Sequence, residues 1–148
     1  MGPRGVVDHL LIRKKLQELK RYTAELERFR GQDLSTLRQA LATQWSVEHG
    51  LQLAVQTVLD VGSHILAAIG ESRIEEYVDV IDRLGERGIL PKPFAQHIRD
   101  MVGFRNILVH EYADVDVAIV HEVLQHRLAD FDEFCRHIEQ YLTAQGKP

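Results

Sequence analysis

The amino-acid sequence predicts an all-α fold, a single-domain up-and-down helical bundle of about five helices. It spans residues 1–148, with its core over about 8–142. Apolar residues recur at spacings of three and four along nearly the whole chain, which is the period of a helix with one buried face. The strict alternation of a half-buried strand is nearly absent, and no linker longer than a turn divides the chain. At 148 residues and 45% hydrophobic, the chain is large enough to bury a full core.

Leu16, Leu19, Leu26 and Phe29 mark a first helix from roughly Val7 to Arg30, stopped at Gly31. Asp33 or Ser35 can cap a second, which carries Leu37, Leu41, Trp45, Leu51, Val55, Val58, Val61 and Ile65 and runs to Gly70. Gly50 and Gly62 interrupt it as points of close packing or kinking. Ser72 and Glu75 have the spacing of a capping box for a short third helix, whose apolar face is Ile74, Val78, Ile81 and Leu84. A turn rich in Gly and Pro follows over residues 85–93. Phe94, Ile98, Met101, Val102, Arg105 and Val109 trace a fourth helix. Asp114 or Asp116 then caps a fifth, with Val117, Val120, Leu124, Leu128, Phe131, Phe134, Ile138 and Tyr141 along it.

The single cysteine, Cys135, excludes an internal disulfide and fits a reducing compartment, and its spacing beside Phe131 and Phe134 marks it as a core residue. The opening residues do not have the form of a signal peptide, and no apolar run approaches the length of a membrane span, so a soluble, cytoplasmic protein is expected. The net charge of −4 argues against a general nucleic-acid coat protein. That charge is unevenly placed. Residues 1–30 hold eight Lys/Arg against four acids, whereas the rest holds 10 against 18. The first helix is therefore either a solvated face balancing an acidic body or a local patch that steers phosphate.

Eight histidines raise the question of a metal, but there is no HExxH and no pair of histidines four apart, so no metal or cofactor is expected. His64 lies four residues after Asp60, the spacing of an ordinary helix surface pair or of a residue beside a functional surface. No glycine-rich phosphate loop is present.

The chemistry gathers in Arg105-Asn106-Ile107-Leu108-Val109-His110-Glu111-Tyr112. A guanidinium always carries charge and can clamp phosphate oxygens, while an imidazole changes protonation near neutral pH and moves a proton either way. Together they can hold and cleave a phosphodiester without a metal. On a regular helix Arg105 and Tyr112 fall about 20° apart and share a face, whereas His110 lies roughly 140° from Arg105. Either the helix loosens near His110, or a second copy across a two-fold axis completes the site with its own Arg and His.

These residues resemble the HEPN superfamily of small helical proteins, in which Arg is followed after four to six residues by His. Arg105 and His110 have four between them, and Asn106 fits the polar residue usual after the Arg. With Tyr112, the pattern R-N-x-x-x-H-x-Y is similar to that of the HepT toxin family. So are the lead-in from Gly88-Ile89-Leu90-Pro91 to Met101-Val102-Gly103-Phe104 and the stretch from Glu48-His49-Gly50 to Gly62-Ser63-His64. The resemblance covers about residues 8–142. It implies a homodimeric, metal-independent RNA endonuclease toxin in which Arg105 and His110 are catalytic and Asn106 supports them. A minimal nucleotidyltransferase antitoxin (MntA-like) would neutralise it by transferring AMP from ATP to Tyr112. The alternative is a catalytically silent module that docks such a nucleotidyltransferase or binds a nucleotide.

Overall fold

A computed structural model describes residues 6–110, apart from the side chain of His110, and residues 115–146. Those residues form eight helices: α1 (His9–Glu27), α2 (Leu34–Gln39), α3 (Leu41–Ala68), α4 (Tyr77–Glu86), α5 (Lys92–Ile98), α6 (Asp100–His110), α7 (Val117–His126) and α8 (Leu128–Ala144). The all-α expectation holds, but the helices outnumber the five expected because three of the long ones are broken.

Each break has a physical cause. Ala40 leaves helical geometry at φ −113°, ψ 80°, and the buried Gln44 amide donates to the carbonyls of Leu37 and Arg38 at 2.9 and 3.0 Å. The last carbonyls of α2 are thus satisfied by a side chain instead of a continuing helix. The other two breaks, at Arg99 and Arg127, meet in space. Arg127 donates through Nη2 to the His97 carbonyl at 3.3 Å, through Nη1 and Nη2 to Asp100, and through Nε to Asp130. Asp130 also faces His97 Nε2 at 3.0 Å. Four helix ends are tied by one guanidinium.

Capping settles two alternatives and overturns a third. Asp33 caps α2 through the Thr36 N–H, and Asp116 caps α7 through that of Ala118. The box expected at Ser72 and Glu75 lies instead at Glu76 and Asp79, whose carboxylate accepts from the backbone N–H groups of Glu75 and Glu76 at 2.9 Å. Those bonds lower the Asp79 carboxyl below its usual pKa and start α4 at Tyr77.

α3 is the hub, packed against α1, α2, α4, α6, α7 and α8. Its length and mean hydropathy of 1.2 would let it cross a membrane, contrary to the expectation that no apolar stretch would reach that length. However, 56% of its most apolar window is buried by the other helices, the arrangement of a core helix. Gly62 permits close approach: a Cβ there would lie 2.6 Å from Val80 Cγ1 and 2.9 Å from Leu84 Cδ1. Gly50 meets Leu26 of α1 in the same way, at 3.0 Å. Leu51, Val55, Val58, Ile65, Ile81, Phe131, Phe134 and Cys135 share one core. Leu41 and Trp45, expected on the buried face, are exposed (Trp45 by 61%) because the break at Ala40 redirects the first turns of α3.

Candidate active site on helix α6

α6 buries Met101, Val102, Phe104 and Leu108 against the bundle. This periodicity leaves Arg105 half-buried at the edge and Asn106 exposed beside it. Arg105 Nε donates to Gln56 Oε1 on α3 at 3.3 Å, and its Nη1 donates to Asn106 Oδ1 at 3.2 Å. The guanidinium carbon stands 4.5 Å from the ring centroid of Tyr77, the first residue of α4. Gln56 is oriented in turn, since its Nε2 donates to Asp60 Oδ1 at 3.0 Å. Its carbonyl oxygen is thereby turned toward Arg105.

The three groups that hydrogen-bond or stack with Arg105 among the described residues are neutral: two amides and an aromatic face. They fix its direction without cancelling its charge. Among the described residues no carboxylate forms an ion pair with Arg105, and its Nη2 has no acceptor. An oriented, uncompensated guanidinium is suited to an anionic ligand such as a phosphate.

The sequence-predicted residues divide accordingly. Arg105 and Asn106 are in mutual contact. α6 is continuous to His110, so loosening before that residue does not occur, and five residues of helix turn it roughly 140° from Arg105. The His110 side chain and Tyr112 lie outside the described residues. Asp60 serves Gln56, and His64 is exposed to solvent. Gln56 and Tyr77 are missed by sequence reasoning, which marks Asp60 only as a companion of His64. Gln56 and Tyr77 stand 49 and 28 positions before Arg105, and no local spacing couples them to it.

On α1 and the turn after it, Lys20, Arg28 and Arg30 are paired with Glu139, Glu25 and Glu27. Arg13, Lys14, Lys15 and Arg21 have no acidic partner among the described residues. The basic surface is therefore smaller than the sequence count suggests. Among the described residues, no group of three or more His, Cys, Asp and Glu is placed to hold a metal ion.

The bundle is of the HEPN type. It matches a tri-AMPylated HEPN toxin of Shewanella oneidensis, solved in complex with MNT antitoxin, with a TM-score of 0.78 and 29% identity over 87% of this chain and 96% of that one. YutE of Bacillus subtilis, described as a cytosolic protein of unknown function, shares the fold alone, with a TM-score of 0.83 at 18% identity over 96% of this chain and 95% of that one. The chain belongs to the ribonuclease HepT-like family, whose sequence profile matches residues 16–138. Among its relatives, a tRNA nuclease HepT of Aphanizomenon flos-aquae is 29% identical over 92% of each chain. An mRNA nuclease HepT of Shewanella oneidensis is 30% identical over 84% of this chain and 92% of that one.

Proposed function

We propose that this protein is the toxin of a toxin–antitoxin pair, a cytoplasmic RNA endonuclease that works as a homodimer without a metal ion. The observation that carries the reading is Arg105, oriented by neutral groups and without an acceptor at Nη2 among the described residues, on the same helix as His110. The relatives named as tRNA and mRNA nucleases support it, and the related toxin solved with its antitoxin supports the pairing.

His110 takes the proton of a ribose 2′-hydroxyl, and the resulting oxygen attacks the adjacent phosphorus. Arg105 stabilises the charge on the pentavalent phosphate through Nη2, while Asn106 holds Nη1. The bond to the 5′-oxygen breaks, and an imidazolium returns a proton to that oxygen. The products are a 2′,3′-cyclic phosphate and a 5′-hydroxyl. The angle between Arg105 and His110 supports a shared site, in which the second copy supplies the complementary residue.

The antitoxin is a minimal nucleotidyltransferase of the MntA kind, which transfers AMP from ATP to the Tyr112 oxygen with release of pyrophosphate. The added phosphodiester would occupy Arg105 in place of RNA. His110→Ala is the primary test. It should lower the cleavage rate by about 10²–10⁴-fold, and EDTA should leave wild-type cleavage unchanged. Full cleavage by the variant, or loss in EDTA, refutes the reading.

A further inference from the structure

A cavity of about 390 Å³ opens between the start of α4 and the outer face of α6, lined by Glu76, Tyr77, Val78, Val102, Arg105 and Asn106. We infer that it is a nucleobase subsite, which receives the base next to the phosphate held by Arg105 and stacks it against Tyr77. The inference rests on the ribonuclease reading above and adds a specificity pocket to it.

Tyr77 leaves 41% of its surface exposed, beside the guanidinium that would carry the phosphate. A large aromatic group kept in solvent at such a place is suited to stack on a base, since every base has a π face. Val78 and Val102 give the cavity an apolar lining. Its polar groups are of opposite character. Arg105 is cationic, whereas Glu76 brings a carboxylate and is exposed. The carboxylate repels phosphate and accepts hydrogen bonds, so the backbone is directed to the Arg105 end and the base to the Tyr77 and Glu76 end. Asn106 gives its carbonyl oxygen to Arg105, which leaves its amide N–H groups for a base edge or a phosphate. Glu76 can accept a hydrogen bond from the exocyclic amino group of adenine, cytosine or guanine, or from the ring N–H of guanine or uracil.

The test is a double cycle between Tyr77 and the base. Short RNAs with one cleavage site carry each of the four bases, or an abasic ribose, on either side of the scissile bond. They are cleaved by wild type, Tyr77→Phe and Tyr77→Leu. In parallel, binding of fluorescein-labelled 2′-O-methyl RNAs of the same sequences, in which the nucleophile is blocked, is followed by anisotropy. On one flank, Tyr77→Leu should raise KM and weaken binding by on the order of tenfold, and Tyr77→Phe should remain near wild type. Removing the base should cost wild type the same factor and cost Tyr77→Leu almost nothing more. If Tyr77→Leu instead lowers kcat equally with and without the base, Tyr77 only positions Arg105 and the subsite is refuted. Coupling in binding without any cleavage by wild type would overturn the nuclease reading and leave the subsite standing. Neither cleavage nor binding would overturn both.

Discussion

Arg127 grips Asp100 with Nη1 and Nη2 at 2.8 and 2.9 Å, across the point where the α5–α6 and α7–α8 breaks meet. The start of α6, and therefore the line along which Arg105 is presented, is held by this contact. The bonds from Arg127 keep the Asp100 carboxyl below the usual carboxylate range. A carboxylate whose pKa is lowered by folding stabilises the fold above its unfolded pKa and stops doing so as pH falls through the folded value. The contribution is thus present at neutral pH and lost below about pH 4. Asp100→Asn should flatten the acid side of the stability curve and cost less than about 1 kcal/mol at neutral pH, since the side chain is 64% exposed. Arg127→Ala should cost more, about 1–3 kcal/mol, because the buried Asp130 also loses its cation. Urea unfolding between pH 3 and 7 decides both, and identical pH slopes for wild type and Asp100→Asn would rule out the Asp100 contribution.

Gln56 should matter to turnover more than to substrate binding. Gln56→Leu keeps the bulk of the side chain and removes the acceptor of Arg105 Nε. We expect kcat to fall by about 10- to 100-fold, because a misdirected guanidinium no longer meets the charge that develops on the phosphate. KM should change little. Steady-state kinetics on one RNA separates the two constants, and an unchanged kcat would mean that the amide contact is idle.

If the working site spans two copies, mixed subunits should complement each other. Arg105→Ala and His110→Ala are each expected to be inactive alone. Heterodimers purified with two different tags should regain part of the activity, since one of their two sites holds an intact pair. Activity that tracks a monomer in sedimentation would exclude a shared site.

The regulatory reading turns on one oxygen. Tyr112→Phe keeps the ring and lacks the atom that would accept AMP, so it should stay toxic when the antitoxin is co-expressed. Intact-mass spectrometry of the co-expressed wild type should show gains in whole AMP units, mapped to the peptide containing Tyr112. A neutralised complex with unmodified Tyr112 would point to inhibition by binding alone.

The helical class, the stop of α3 just before Gly70, a pair of candidates for each of the caps at Asp33 and Asp116, and the burial of Cys135 could be read from the chain because short-range periodicity and turn chemistry determine them. The breaks at Ala40, Arg99 and Arg127 could not. Each depends on a side chain, Gln44 or Arg127, that satisfies carbonyls on another helix segment, and hydrophobic spacing continues through the break unchanged. The candidate site divides in the same way. Arg105 and Asn106 stand out because they interrupt an apolar helix, whereas Gln56 and Tyr77 acquire their roles only when α3 and α4 are brought beside α6.

The missing side chain at Gly62 lets Val80 and Leu84 press directly onto the α3 backbone. The gap between α3 and α4 is set there, and Gln56 and Tyr77 sit on those same two helices, on either side of the Arg105 guanidinium. Residue 62 therefore works as a spacer gauge for a site it never touches. A methyl group at that position would push α4 outward and carry Tyr77 away from Arg105, with every residue of the site still present. A lineage could silence such a toxin by widening one helix gap while its R-N-x-x-x-H-x-Y motif stayed intact, and inspection of the motif alone would miss the change.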